Sequence, residues 1–212
     1  MIKNLTLLLL IILTQIPNVV KSNQDDELKY RLPPFTVVSM EDGSSRQLSE
    51  TYPGFLQKRG DFQRFKRITG NGKGIKVGVA DTGLDYTHYQ NGGDLSGMVE
   101  AKDFTGSRYR NYPPWADVVS GHGSHCAGHI GAKNNGKGIE GIASDCELYI
   151  AKVLNDRGFG SDRGIASGID WLASKDVDII NLSLGGEFSQ AIENAVQRAT
   201  KKGILVLSLI HI

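Results

Sequence analysis

Ile75-Lys76-Val77-Gly78-Val79-Ala80-Asp81-Thr82-Gly83 is the stretch that decides the fold. Apart from Lys76, the run to Ala80 carries no polar side chain, and it stops at an acid followed by a glycine turn. Near-continuous apolar runs of this length suit strands of a parallel sheet covered on both faces. Similar runs recur at Cys146–Leu154, Val177–Leu184 and Ile204–Leu207. Helical patterns lie between them. Ile165, Ile169 and Leu172 fall at i, i+4 and i+7, with Asp162 as the expected N-cap. Ile192, Ala195, Val196 and Ala199 form a second stripe, closed by Lys201-Lys202-Gly203. Strands alternating with helices predict an α/β fold with right-handed crossovers. In such sheets function gathers at the carboxyl ends of strands. Asp81-Thr82-Gly83 ends the first strand, and Ser183-Leu184-Gly185-Gly186 ends the third.

Outward from this segment, composition narrows the choices. The 212 residues carry 24 Lys+Arg against 23 Asp+Glu, a net charge of +1. That balance offers no electrostatic footprint for nucleic acid. Hydrophobic residues at 40% and charged residues at 22% describe a folded globular chain. Glycine, at 26 of 212 residues, is well above its usual share of about 7% and announces tight turns and close backbone approaches. No internal repeat is visible.

The N-terminus reads as an address. Lys3 precedes a run from Leu5 to Leu13 that is apolar except at Thr6, and Pro17 and Val20-Lys21-Ser22 follow. This predicts a signal peptide over 1–22. The run is too short for a spanning helix, which needs about 20 apolar residues. A secreted protein, or one of the secretory-pathway lumen, is expected, with no membrane contact once the signal is removed. Residues 23–69 are polar and basic, with Pro33-Pro34 and Pro53-Gly54 turns and the dibasic pairs Lys58-Arg59 and Lys66-Arg67. They read as a pro-segment or N-terminal arm. Residues 70–212 hold the fold.

Two segments carry chemistry. In Val79-Ala80-Asp81-Thr82-Gly83 a carboxylate at a strand end can orient an imidazole and stabilise its charged form. Taken alone, such an acid reads equally as a turn residue. The second segment, Gly121-His122-Gly123-Ser124-His125-Cys126-Ala127-Gly128-His129, holds three of the chain's 5 histidines. Histidine is the natural general base near neutral pH. A metal reading competes: His125 and His129 stand at i and i+4, with His122 or Cys126 as a third ligand. The Glu of an H-E-x-x-H zinc helix is absent. Gly70-Asn71-Gly72-Lys73-Gly74 is glycine-rich but precedes its strand, so it reads as a turn and not a phosphate cradle.

With these segments in view, the sequence resembles the subtilisin family of serine endopeptidases over roughly residues 70–207. VGVADTGLD (77–85) is similar to the family's Asp motif, GHGSHCAGHIG (121–131) to its His motif and NLSLGG (181–186) to its substrate-cleft motif. Ser124 stands where many relatives carry Thr. Cys126 resembles the proteinase K branch. The resemblance implies a three-layer, doubly wound, mostly parallel α/β sheet. It implies Asp81 as orienting carboxylate and His122 as the general base that takes a proton from a serine hydroxyl. His125 and His129 then become packing residues. Polypeptides are the implied substrates, held by strand addition between Gly158-Phe159-Gly160 and Ser183-Leu184-Gly185, with Phe159 as an apolar wall. Residues 133–139 resemble a calcium loop. They imply a structural calcium through Asn135 and Gln90, the latter standing where an Asp is expected. No organic cofactor and a monomer are expected. Cys126 and Cys146 are expected as two thiols. Asn181-Leu182-Ser183 is formally a glycosylation sequon, expected unused in a core strand.

The family pattern is left at the end. The oxyanion Asn falls at or beside Ile212, where the chain reads Leu207-Ser208-Leu209-Ile210-His211-Ile212. The nucleophile Ser falls further on. A fold truncated on its C-terminal side, inactive for want of the Ser and with its last strand an open edge, is the expectation. Two other readings stay open. One is a non-catalytic relative that binds peptides through 158–160 and 183–185. The other is a zinc module of His122, His125, Cys126 and His129.

Overall fold

The computed structural model describes residues 70–208. The signal peptide expected over 1–22, the arm over 23–69 and the tail 209–212 lie outside the described residues. After a 3₁₀ turn at Gly70–Gly72 come β1 (Lys76–Asp81), α1 (Tyr86–Gln90), β2 (Met98–Asp103) and α2 (His122–Gly131). They are followed by β3 (Glu147–Lys152), α3 (Asp162–Ser174), β4 (Ile179–Leu182), α4 (Gln190–Lys201) and β5 (Leu205–Ser208). The strands form one sheet in the order β2-β3-β1-β4-β5, and every pairing is parallel. The glycine-rich segment before β1 is a turn, closed by Lys73 N–H to Gly70 O at 3.0 Å and Ile75 N–H to Gly72 O at 3.0 Å.

The apolar runs are continuous because each central strand feeds a core on both sides. Val77 and Val79 of β1, Leu148 and Ile150 of β3, and Ile179 of β4 join the core under α2. Ala80, Tyr149, Ala151, Ile180 and Leu182 point the other way, into the core beneath α3 and α4. This strict period of two is the pleat at work. The outcome is three layers: α2 against β1 and β3 on one face, α3 and α4 on the other. The α3 stripe behaves as its spacing predicts, with Ile165, Ile169 and Leu172 buried. Each such side chain contributes about 1.5–3 kcal/mol on burial. Its N-cap differs from expectation. Ser161 holds the cap, accepting Gly164 N–H at 3.1 Å, and Asp162 is the first-turn acid facing the helix dipole.

The sequence reading has no counterpart for β2. Its burial alternates poorly, Val99 is 52% exposed, and the register with β3 shifts between Met98 and Glu100. An edge strand with charged residues on its open face lacks the apolar run that marks the inner strands. Cys126 and Cys146 are two buried free thiols in the core under α2. Burial raises both thiols above their usual pKa, Cys146 to about 12.

Candidate active site

Asp81 ends β1 in the middle of the sheet and is fully buried. Val153 and Leu154, just past the end of the neighbouring β3, both donate their N–H to Asp81 O, at 2.8 and 3.1 Å. Past it, Gly83 adopts φ +109, a torsion that L side chains rarely hold. A Cβ at Gly83 would lie 2.3 Å from Trp115 O, and one at Gly123 would lie 2.3 Å from Gly83 O. Only glycine at both positions lets the first turn of α2 press against the turn after Asp81. That contact brings the His122 ring to the carboxylate. His122 Nδ1 and Asp81 Oδ1 are 2.7 Å apart. An ionised carboxylate only accepts, so Nδ1 carries the proton between them.

Thr82 ties the pieces together. Its N–H donates to Asp81 Oδ1 at 2.7 Å. Its hydroxyl accepts Gly123 N–H at 2.9 Å and donates to Asp117 Oδ2 at 2.9 Å. Asp117, itself 7% exposed, also accepts Gly121 N–H at 2.9 Å and the Ser124 hydroxyl at 3.3 Å. Ser124 in turn accepts Asp85 N–H at 2.8 Å, so the hydroxyl retained at this position has a bonding role. A buried acid at the start of α2 faces the positive end of the helix dipole.

The electrostatics follow. Asp81 Oδ2 is buried with no hydrogen-bond partner among the described residues, so the carboxylate's charge is compensated mainly through Oδ1. The hydrogen bond that His122 donates to Asp81 raises the His122 pKa to about 10, helped by Cys126 and opposed by burial. Cys126 Sγ lies 3.9 Å from the same Nδ1. With Nδ1 committed to Asp81, the neutral ring presents Nε2 as its basic nitrogen, the arrangement a general base requires.

The other residues singled out from the sequence fall into groups. Gly158, Phe159 and Gly160 follow β3, and Ser183, Leu184 and Gly185 follow β4. β3 and β4 flank β1, so both segments start at the same sheet edge as Asp81. Asn155 builds the first segment's turn: its Oδ1 accepts Arg157 N–H at 2.9 Å and Phe159 N–H at 3.1 Å. Phe159 projects from it, 67% exposed. In the second segment the Leu184 side chain is core, and only backbone and Gly185 face outward. Asn181 is 6% exposed and donates to the Ser183 hydroxyl at 2.9 Å, which keeps its amide away from any glycan.

Gln90 and Asn135, the residues expected on calcium, bond to separate partners. Gln90 is exposed and its amide bonds to the Tyr86 hydroxyl on its own short helix. Asn135 instead meets Asp94, its Nδ2 donating to Oδ1 at 3.2 Å. Asp94 Oδ2 accepts Ile139 N–H at 3.0 Å, and Asn135 Oδ1 accepts Lys137 N–H at 2.9 Å. The carboxylate at this loop is therefore Asp94.

The zinc reading does not assemble. Among the described residues the ligand atoms that cluster are those of Asp81, His122 and Cys126. His125 and His129 turn to each other, Nε2 to Nε2 at 3.1 Å, and burial lowers the pKa of both, His125 to about 4. His125 is the more exposed of the two, and their rings meet edge-on with centroids 4.3 Å apart.

Thr82, Asp117 and Lys152 escaped the sequence reading. Lys152 had a signal: it is the one ammonium inside the apolar run CELYIAKVL. Asp117 had only a faint one, an acid a turn before a glycine-led helix.

Residues 72–208 match the subtilase family, Peptidase S8. The chain is 38% identical over 138 residues to subtilisin DY of Bacillus licheniformis, covering 65% of this chain and 47% of that protein. It is 40% identical over 138 residues to subtilisin Savinase of Lederbergia lenta, with the same coverages of 65% and 47%. The minor extracellular protease Epr of Bacillus subtilis is 38% identical over 140 residues, 65% of this chain and 20% of that protein. The chain thus spans about half or less of the length of these curated relatives.

Proposed function

This chain belongs to the subtilase family of serine peptidases, and we propose that it contributes the Asp–His arm of a secreted endopeptidase acting on polypeptides. The observation that carries this reading is the 2.7 Å contact between a fully buried Asp81 carboxylate and His122 Nδ1. In the proposed reaction His122 Nε2 takes the proton of a serine hydroxyl as its oxygen attacks the scissile carbonyl. It then returns that proton to the leaving amine. Asp81 holds the tautomer and stabilises the imidazolium. The serine is the one the family resemblance places after residue 212. An extended substrate would add as a strand between 158–160 and 183–185. Hydrolysis of a peptide amide by the secreted protein tests the reading. No hydrolysis by any natural form carrying these motifs would end it.

The charge state of His122 makes the pH profile specific. The base must be neutral to act, and Asp81 raises its pKa to about 10. The pH–kcat/KM profile is expected to rise through an alkaline limb well above the ordinary histidine value of about 6.5. Stability runs the opposite way. The folded state keeps the His122 proton up to about pH 10, while the unfolded state releases it near about 6.5. The ion pair's contribution is therefore whole below that lower pH and is lost as pH rises through the folded value. Equilibrium unfolding across the window checks the sign, and D81N should flatten both curves.

Calcium at 133–139 is proposed with Asp94 in the place expected of Gln90. The fit is partial: Asp94 supplies the charged oxygen, but Asn135 must turn its own oxygen inward to join. Added calcium is expected to raise Tm, a chelator to lower it, and D94N to abolish the difference. Equal Tm values with calcium and chelator would remove calcium from the reading.

An extracellular or secretory-lumen location is proposed from the leader at 1–22. No helix among the described residues is long and apolar enough to cross a membrane, and one relative is named an extracellular protease.

A further inference from the structure

Lys152 is a cation with no exposed surface that the proposed reaction does not use. It is the last residue of β3 and stands opposite Asp81 in the β1–β3 ladder. Burying an ammonium costs desolvation that only close acceptors offset. Packing alone would be met by an apolar chain of the same length. The acceptors are specific. Nζ donates to Thr82 O at 2.6 Å and to Asp156 Oδ1 at 3.1 Å. The Tyr109 ring centroid is 5.9 Å from Nζ, and the Tyr109 hydroxyl donates to the same Asp156 oxygen at 2.5 Å.

Both ends of this network reach the proposed machinery. Thr82 O belongs to the peptide between Thr82 and Gly83, whose direction depends on the unusual Gly83 torsion of +109. The same Thr82 donates its N–H to Asp81 Oδ1. Asp156 sits in the Asn155 turn that presents 158–160. We propose that Lys152 is a positioning residue: its ammonium locks the peptide that follows Asp81 and couples it, through Asp156 and Tyr109, to the loop that holds substrate. The inference rests on the reading of Asp81 and His122 as a catalytic pair.

The test compares K152M, K152R and Y109F with wild type in the full-length protein. It measures kcat and KM on a peptide amide, the proton NMR resonance between His122 Nδ1 and Asp81, and Tm. K152M is expected to lower kcat by about 10- to 100-fold, the cost of a displaced catalytic group, and to shift or broaden that resonance. K152R should restore most of both. Y109F frees Asp156 at its far end, so it should raise KM and leave the resonance in place. A folded K152M with wild-type kcat and an unmoved resonance overturns the proposal. If K152M does not fold, Y109F and D156N decide: KM values equal to wild type in both overturn it. If wild type hydrolyses no peptide, the endopeptidase reading fails. The resonance then judges Lys152 separately, in K152M if it folds and otherwise in D156N.

Discussion

Replacing His122 by alanine in the catalytically competent protein is expected to lower kcat by about 10⁶-fold, a magnitude carried over from subtilisin, a relative of this chain. At about 1.4 kcal/mol per tenfold, this is roughly 8 kcal/mol of lost transition-state stabilisation. D81N should cost less, about 10⁴-fold, for a different reason. An amide at position 81 donates where the carboxylate accepts. Facing His122 Nδ1 at the present 2.7 Å, it forces the ring's proton onto Nε2. The base then points its lone pair at residue 81 and its proton at the substrate. Steady-state kinetics on a peptide amide, with circular dichroism as a check on folding, measures both variants. A folded H122A that keeps more than about a tenth of wild-type kcat is incompatible with the proposed role.

G83A is expected to be among the most destabilising single-methyl changes in the molecule. Two costs combine. The backbone at φ +109 is one that alanine rarely adopts, costing about 1–3 kcal/mol. The new Cβ would stand 2.3 Å from Trp115 O, and relieving such overpacking costs about 1–3 kcal/mol more. Because the obstacle is backbone, no side chain can move aside. The Thr82–Gly83 peptide must rotate, which disturbs the Asp81 turn and the seat of α2 together. A total loss of about 2–6 kcal/mol is expected in denaturant unfolding. G186A is the control: a Cβ there meets nothing within 4 Å, and its effect should stay within about 0.5 kcal/mol. Equal stabilities of G83A and G186A would show that the turn is not held as described.

How far these features were legible depends on their range along the chain. β1, β3 and β4 were readable because burial on both faces writes itself into consecutive residues; β5 was readable from its apolar run alone, with Leu205 exposed and the rest half-buried. β2 was not, since an edge strand keeps one side polar. α3 and α4 were readable from apolar spacing, but the cap passed from Asp162 to Ser161 because either residue type caps well and only geometry chooses. Asp81 and His122 stood out by motif. Asp117, Thr82 and Lys152 did not, because their roles consist of bonds to residues 35, 41 and 70 positions away. Asp94 did not stand out either, because its bonds to Asn135 and Ile139 span 41 and 45 positions.

The sequence by itself determined a parallel α/β sheet, the strand-end acid, the histidine-bearing helix start and the family. These are short-range patterns of apolar period, turn residues and contiguous motifs. The tertiary structure decided the rest: that Gly123 packs onto Gly83, that Asp117 clamps the helix entry, and that a buried lysine bridges the Asp81 turn to the 155–160 loop. Those features arise only when the sheet order β2-β3-β1-β4-β5 sets distant segments side by side. A hydrogen bond spanning 41 residues leaves no periodic trace in the chain that makes it.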